Sequence, residues 1–147
     1  MAEDSLIRFD SGLIGFPQDQ LFALIPHGSS TVIAWLQSVD KPELAFPVVS
    51  AHGLVSDYPD VSIAAISEKV GLGGEVEQLA ILAVLCAREG MPASVNLLAP
   101  ILIDAATHRG AQVFLEGSRF TTRELFVLPG VARERKDGPA AGAAPAP

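Results

Sequence analysis

Residues 78–87 read QLAILAVLCA, and this stretch decides the fold class. Apolar residues fill both alternating faces of the nine-residue run from Leu79 to Ala87, whereas a strand with one solvent face alternates apolar and polar side chains. The run is also about half as long as a membrane-spanning helix. We therefore expect a strand that is covered on both sides, or one that closes a barrel.

Eight further runs of β-type residues lie on either side of this stretch, separated by turn signals rich in Gly, Pro and Ser. They cover residues 6–9, 21–25, 31–39, 45–50, 93–98, 101–105, 112–115 and 124–128. Seven to nine strands spaced at about 10 residues favour a mainly β fold, a compact antiparallel β-barrel or sandwich, over βαβ units. Pro47 and Pro100 cannot donate to a ladder, so we expect them at edges, bulges or strand starts.

One short α-helix is predicted where the apolar spacing changes, between Asp60 and Val70. Asp60 or Ser62 can cap its start, and Gly71 can provide the left-handed exit. A second, brief helical turn is expected to begin at Pro17, which is well suited to the first helical position.

The composition divides the chain into a body and a tail. Residues 1–130 are expected to form one β-barrel protein-binding domain, and residues 131–147, rich in Gly, Pro and Ala, a disordered tail. The chain has a net charge of -7, and because the tail side chains sum to +1, the body carries -8. Such a body repels polyanions, so direct nucleic-acid binding is not expected.

A cytoplasmic location is expected from the cysteine count and from the first residues. Cys86 is the single cysteine, which excludes an internal disulfide and a thiolate metal cluster. Its place at the end of an apolar strand predicts a buried, inert thiol. The start, MAEDSLIRFD, lacks the features of a secretory signal, and no run is long enough to cross a membrane.

The residue pattern offers little support for catalysis. His27, His52 and His108 are isolated from one another in predicted turns, and neither HExxH nor an Asp-rich calcium loop occurs. We expect no catalytic residue, no cofactor and no metal, and hence a protein that is not an enzyme. The alternative is a small-ligand-binding β-barrel or a degenerate barrel enzyme, with His52 or His108 at the mouth of an apolar interior.

The residues Asp40, Lys41, Pro42 and Glu43 separate two apolar runs. Proline pre-sets φ in such a turn, and the Asp side chain can bond to the local backbone. The turn is either an ordinary strand connection or a fixed presentation of Asp40 and Glu43 to a basic partner. Asn96 lies in the middle of a predicted strand, where its amide is expected to bond to backbone at a bulge.

Several segments, in order and spacing, resemble the flagellar assembly factor FliW family. They are RFDSGLIGFP at 8–17, WLQSVDKPELAFPV at 35–48, DYPDV at 57–61, NLLAPILID at 96–104, GAQV at 110–113 and RFTTRE at 119–124. The resemblance extends from about Phe9 to Arg123 and implies a compact β-barrel with a short helix. Glu124 follows Arg123 where the family commonly carries His.

The resemblance also implies a function and a set of partners. Such proteins bind the carbon storage regulator CsrA, a small RNA-binding repressor, antagonise it allosterically, and bind flagellin in a partner switch that controls flagellin translation. From the turn and the matching motifs we expect partner contacts at six residues: Asp40, Pro42, Glu43, Asp57, Tyr58 and Asn96.

Overall fold

The computed structural model describes residues 6–28, 32–55, 58–59, 61–72 and 79–126. Eight strands and one helix follow one another along these ranges. They are β1 (Leu6–Phe9), β2 (Leu21–Pro26), β3 (Ile33–Ser38), β4 (Ala45–Ser50), α1 (Ile63–Lys69), β5 (Leu79–Cys86), β6 (Ser94–Asp104), β7 (Arg109–Gln112) and β8 (Glu124–Leu125). The predicted tail, 131–147, lies outside the described residues.

Seven of the strands form a closed barrel in the order β5-β4-β3-β2-β1-β7-β6, and β5 pairs with β6 to complete the circle. Neighbouring strands are antiparallel except β1 and β7, which are parallel. The strand β8 adds a short pairing to the outer side of β6, at Ser94 and Val95. The predicted mainly β fold is therefore confirmed.

Two apolar clusters explain why β5 is apolar on both faces. One fills the barrel and includes Phe9, Phe22 and Leu36, each fully buried. The other lies outside the barrel, where α1 and the adjoining loops cover the face of β5 that carries Ile81, Ala83 and Leu85. The even-numbered neighbours Leu82 and Val84 pack against the interior cluster. The strand thus both closes the barrel and is covered on both sides.

A bulge in β6 exchanges the two faces of that strand. Leu82 pairs with Ile101 and Val84 with Asn96, so four residues of β6, 97–100, lie opposite Ala83. Before the bulge, Val95 faces the outer cluster; after it, Ile101 and Ile103 face the interior. Because side chains alternate along a strand, an irregular insertion of this kind reverses which face is buried.

The bulge also accounts for two differences from the predicted strands. The segments expected at 93–98 and 101–105 are one continuous strand, β6, since the bulge bends the chain without ending its pairing. Pro100 lies within the bulge, as predicted for a residue that cannot donate to a ladder. Pro47 lies next to Val48, where the pairing of β4 with β5 begins.

The predicted helix is present but shorter than expected. Ser62 is the N-cap and accepts a hydrogen bond from the backbone N–H of Ala65 at 3.4 Å. Gly71 has a φ of 85°, as the predicted left-handed exit requires. Asp60, the alternative cap, lies outside the described residues. Within the described ranges, no helix is long and apolar enough to cross a membrane.

The brief second helical turn expected at Pro17 is present as a single hydrogen-bonded turn, in which Asp19 N–H donates to the Phe16 carbonyl at 3.3 Å, and no helix follows it. Just before it, Leu13 and Phe16 exchange two backbone hydrogen bonds of 3.1 and 2.7 Å in a tight antiparallel turn. The strand expected at 112–115 lies earlier, at Arg109–Gln112, because the turn that precedes it ends at His108 with a φ of 60°. Local residue pattern alone does not fix where this strand begins, because its position depends on pairing with β1.

Candidate functional site

Two backbone hydrogen bonds close the turn between β3 and β4. Ser38 N–H donates to the Leu44 carbonyl at 2.9 Å, and Leu44 N–H donates to the Lys41 carbonyl at 3.0 Å. The Ser38 hydroxyl accepts a further bond from Lys41 N–H at 3.0 Å. The loop therefore has a defined conformation in addition to the φ that Pro42 fixes.

Gln37 strengthens the same turn from inside. Its side-chain nitrogen lies 3.1–3.3 Å from four carbonyl oxygens, which belong to Ser38, Lys41, Pro42 and Leu44. An amide nitrogen carries two hydrogens, so it serves two of these acceptors at a time. A single side chain thus joins both ends of the turn.

The charges of the turn are arranged unevenly. Lys41 folds back onto Asp19, with its Nζ 3.1 Å from one carboxylate oxygen and 3.3 Å from the other. The Asp19 side chain is 7% exposed, so this ion pair ties the turn to the loop before β2. Asp40, Pro42 and Glu43 are exposed, and within the described residues neither of the two carboxylates has an ion-pair partner. The turn presents two negative charges to solvent.

The other three predicted contact residues do not join this turn. Asp57 lies outside the described residues. Tyr58 is 2% exposed and its hydroxyl donates to the Leu97 carbonyl at 2.7 Å, so a direct contact with a partner requires a rearrangement. Asn96 is half-buried, and its Oδ1 accepts from the N–H groups of Leu98 and Ala99 at 3.2 and 2.9 Å. Both described side chains hold the β6 bulge, as predicted for Asn96.

A second surface, which the sequence analysis missed, lies beside β8. It is a groove of about 190 Å³ that we call the β8 groove. Its lining residues are Cys86, Arg88, Met91, Pro92, Ala93, Ser94, Arg123 and Leu125. Arg88 and Arg123 are 35 positions apart in the sequence, and only the pairing of β6 with β8 brings them together. No sequence spacing signals this juxtaposition.

The prediction of a buried Cys86 is wrong, because the thiol is exposed in this groove. The even-numbered side chains Leu82 and Val84 face the barrel interior. At Cys86 the strand has passed the end of its pairing with β4, which stops at Val84. The same face of β5 therefore reaches solvent there.

The three histidines lie apart from one another. His27 accepts a hydrogen bond at Nδ1 from the Trp35 indole at 2.9 Å, His108 Nδ1 lies 3.2 Å from the Leu6 carbonyl, and His52 is exposed. Among the described residues, no group of three or more His, Cys, Asp or Glu side chains is placed to hold a metal ion.

The interior that the small-ligand alternative requires is filled by buried side chains such as Phe22 and Ile101.

Comparison with known proteins gives one consistent result. The family model described as FliW protein matches residues 1–126 of this chain. A protein named flagellar assembly factor FliW from Geobacter sulfurreducens is 36% identical over 124 residues, which cover 84% of this chain and 77% of that relative. One with the same name from Syntrophotalea carbinolica is 35% identical over 120 residues, covering 82% of this chain and 85% of that relative.

The same similarity is found among solved structures. A crystal structure of the flagellar assembly factor FliW superimposes with a TM-score of 0.72 at 27% identity, covering 85% of this chain and 87% of that one. The barrel described above is thus the architecture of that solved structure.

Proposed function

The chain belongs to the FliW family of flagellar assembly factors, and from this we propose that it works by binding two proteins in turn, the translational regulator CsrA and flagellin. In this proposal the protein catalyses no reaction. Flagellin that has not yet been exported occupies the protein and leaves CsrA free to repress flagellin translation. When flagellin has been exported, the protein captures CsrA and translation resumes.

The observation that carries the proposal is the fixed acidic turn. Asp40 and Glu43 are exposed, while the one cation of the turn, Lys41, is held by Asp19. An RNA-binding repressor presents basic surface, and complementary charges raise the rate at which two proteins meet. The chain's net charge of -7 also attracts a basic partner, and it does so over longer distances.

The rigidity of the turn supports the same proposal. A loop that must be ordered on binding loses conformational entropy, which weakens the complex. Gln37 and Ser38 already hold the backbone of this turn in one conformation. The two carboxylates are therefore available to a partner without much further ordering of the chain.

The location of the interface is tested with the double variant Asp40→Lys/Glu43→Lys. We expect the association rate with CsrA to fall about tenfold at low ionic strength and the difference to shrink in high salt, because exposed charges are screened. The matched control is Glu68→Lys/Glu116→Lys, which changes the net charge equally at exposed positions on other elements. Equal rates for the two double variants would show that the turn lies outside the interface.

The function itself is tested separately by calorimetry with purified CsrA and purified flagellin. We expect each to bind with a Kd below about 10 μM and flagellin to displace CsrA. Absence of binding to both proteins would refute the function, whereas a silent turn variant refutes only the assignment of the turn.

A further inference from the structure

The β8 groove has a basis in the strand pairing. Cys86 of β5 pairs with Ser94 of β6, and Ser94 pairs with Leu125 of β8. Three neighbouring strands therefore place these residues side by side, with Arg88 and Met91 contributed by the turn between β5 and β6. The sheet therefore fixes the part of the groove formed by Cys86, Ser94 and Leu125, and the other lining residues come from the adjoining turns.

The groove contains two of the most exposed apolar side chains among the described residues. Leu125 is 68% exposed and Met91 is 54% exposed. Single exposed apolar residues are ordinary, but here two of them line the same groove. Methionine adapts well to different apolar partners because its side chain is unbranched and flexible.

The charge of the groove is opposite to that of the chain. Within the described residues, Arg88 and Arg123 form no ion pair, whereas Lys41 and Arg109 are paired with Asp19 and Asp10. The neighbouring carboxylate of Glu124 accepts hydrogen bonds from the N–H and hydroxyl of Thr121 at 2.8 and 3.1 Å. The two guanidinium groups are thus available to carboxylates from outside.

We propose that the β8 groove binds a short segment of a partner protein in which aliphatic side chains alternate with carboxylates. The planar guanidinium groups of Arg88 and Arg123 suit carboxylates, which they can bind through two parallel hydrogen bonds. The aliphatic side chains contact Met91 and Leu125. This surface is separate from the acidic turn, selects the opposite charge, and does not depend on which protein binds that turn.

The charge of the tail argues against the chain's own C-terminal segment as the occupant. Residues 131–147 carry three basic and two acidic side chains, which gives a net charge of +1. A segment of that charge does not complement two arginines. An acidic segment of another protein does.

Cys86 provides a direct readout of occupancy, because it is the chain's one cysteine and lies exposed in the groove. The probe is a synthetic peptide of alternating leucine and aspartate, acetylated and amidated at its ends. At a peptide concentration of about four times the Kd, we expect alkylation of Cys86 by iodoacetamide to slow about fivefold. The amide resonances of Arg88, Ser94 and Leu125 should shift in the same titration.

Two controls give the test its specificity. Arg88→Gln/Arg123→Gln should weaken peptide binding about tenfold or more, while Arg8→Gln, at an exposed arginine on β1, should leave it unchanged. The same peptide with asparagine in place of aspartate should protect Cys86 poorly. Circular dichroism and the dispersion of the amide resonances establish that each variant is folded.

Three results would overturn the proposal. The first is no protection of Cys86 at millimolar peptide, and the second is equal protection by the asparagine peptide. The third is faster alkylation of Cys86, without peptide, after removal of residues 131–147, which would assign the groove to the chain's own segment.

Discussion

Asn96 controls the β6 bulge through a single oxygen atom. Its Oδ1 accepts from Leu98 N–H and from Ala99 N–H. The Leu98 N–H also lies 3.1 Å from the Thr121 carbonyl, whereas the bond from Ala99 N–H to Asn96 is its one hydrogen bond among the described residues. A buried N–H without an acceptor destabilises the folded state. The Asn96 side chain therefore contributes more to the stability of the fold than its half-buried position suggests.

We expect Asn96→Ala to lower the free energy of unfolding by about 1–3 kcal/mol, because it removes the acceptor of two backbone N–H groups. The matched control is Asn96→Asp, which keeps an acceptor oxygen at the same position and should retain most of the stability. Urea unfolding followed by circular dichroism measures both. A change below about 0.5 kcal/mol in the alanine variant would contradict this role.

Tyr58 is the second side chain that holds the bulge. Its hydroxyl donates to the Leu97 carbonyl at 2.7 Å, and its ring packs edge-on against Phe120 at a centroid distance of 5.0 Å. Tyr58→Phe should cost about 1–2 kcal/mol of stability while leaving the ring contact intact. If the variant unfolds at the same urea concentration as the parent, the hydroxyl contributes nothing measurable.

Residue patterns predicted some of these roles and not others. The expectation that Asn96 bonds to backbone at a bulge is confirmed, because a polar amide inside an apolar strand has few other partners. The expectation for Cys86 is wrong, because alternation along a strand does not reveal where the strand leaves the barrel. The β8 groove could not be predicted for a related reason, because only long-range strand pairing brings Arg88 and Arg123 together.

At the scale of elements, the parallel pairing of β1 with β7 depends on a glycine. Gly110 pairs with Phe9 on one side and Ile103 on the other. A Cβ added there would lie 2.6 and 2.8 Å from two ring carbons of Phe9 and 3.0 Å from the Leu102 carbonyl oxygen. Phe9 is fully buried, so its ring has little room to move away.

Gly110→Ala should therefore destabilise the barrel by about 1–3 kcal/mol, as overpacking does. Gly53→Ala is the matched control, because its nearest neighbour is the Ser50 carbonyl oxygen at 3.5 Å, an ordinary contact, and we expect it to be neutral or slightly stabilising. Thermal unfolding of the two variants checks the comparison. Equal melting temperatures would mean that the Phe9 ring repacks freely.

The elements illustrate which local signals are reliable. The strands β1 and β4 match their predicted bounds because turn residues flank short apolar runs. The strand β7 begins at Arg109 and not at 112 as predicted, since it contains Gly110, and glycine is ordinarily a turn signal. Gly110 serves a different purpose, the close approach of Phe9, and that reason becomes visible only once β1 and β7 are paired.

For the whole molecule, the boundary of the folded domain remains a prediction. The matching family model ends at residue 126, and residues 131–147 offer no apolar side chains larger than Val131 for a core. We expect removal of 131–147 to change Tm by less than about 2 °C, because a segment without core contacts contributes little to stability. Differential scanning calorimetry decides the point, and a loss of many degrees would mean that the segment packs on the barrel.

Closure of the barrel has a consequence for how this protein behaves at high concentration. An open sheet ends in rows of unpaired amides and carbonyls that can template growth by a second copy. Here β5 and β6 join, and among the described residues the strand order ends at the two-residue strand β8. So short a terminus offers almost nothing on which copies can polymerise, which suits the proposed exchange of one associate for another.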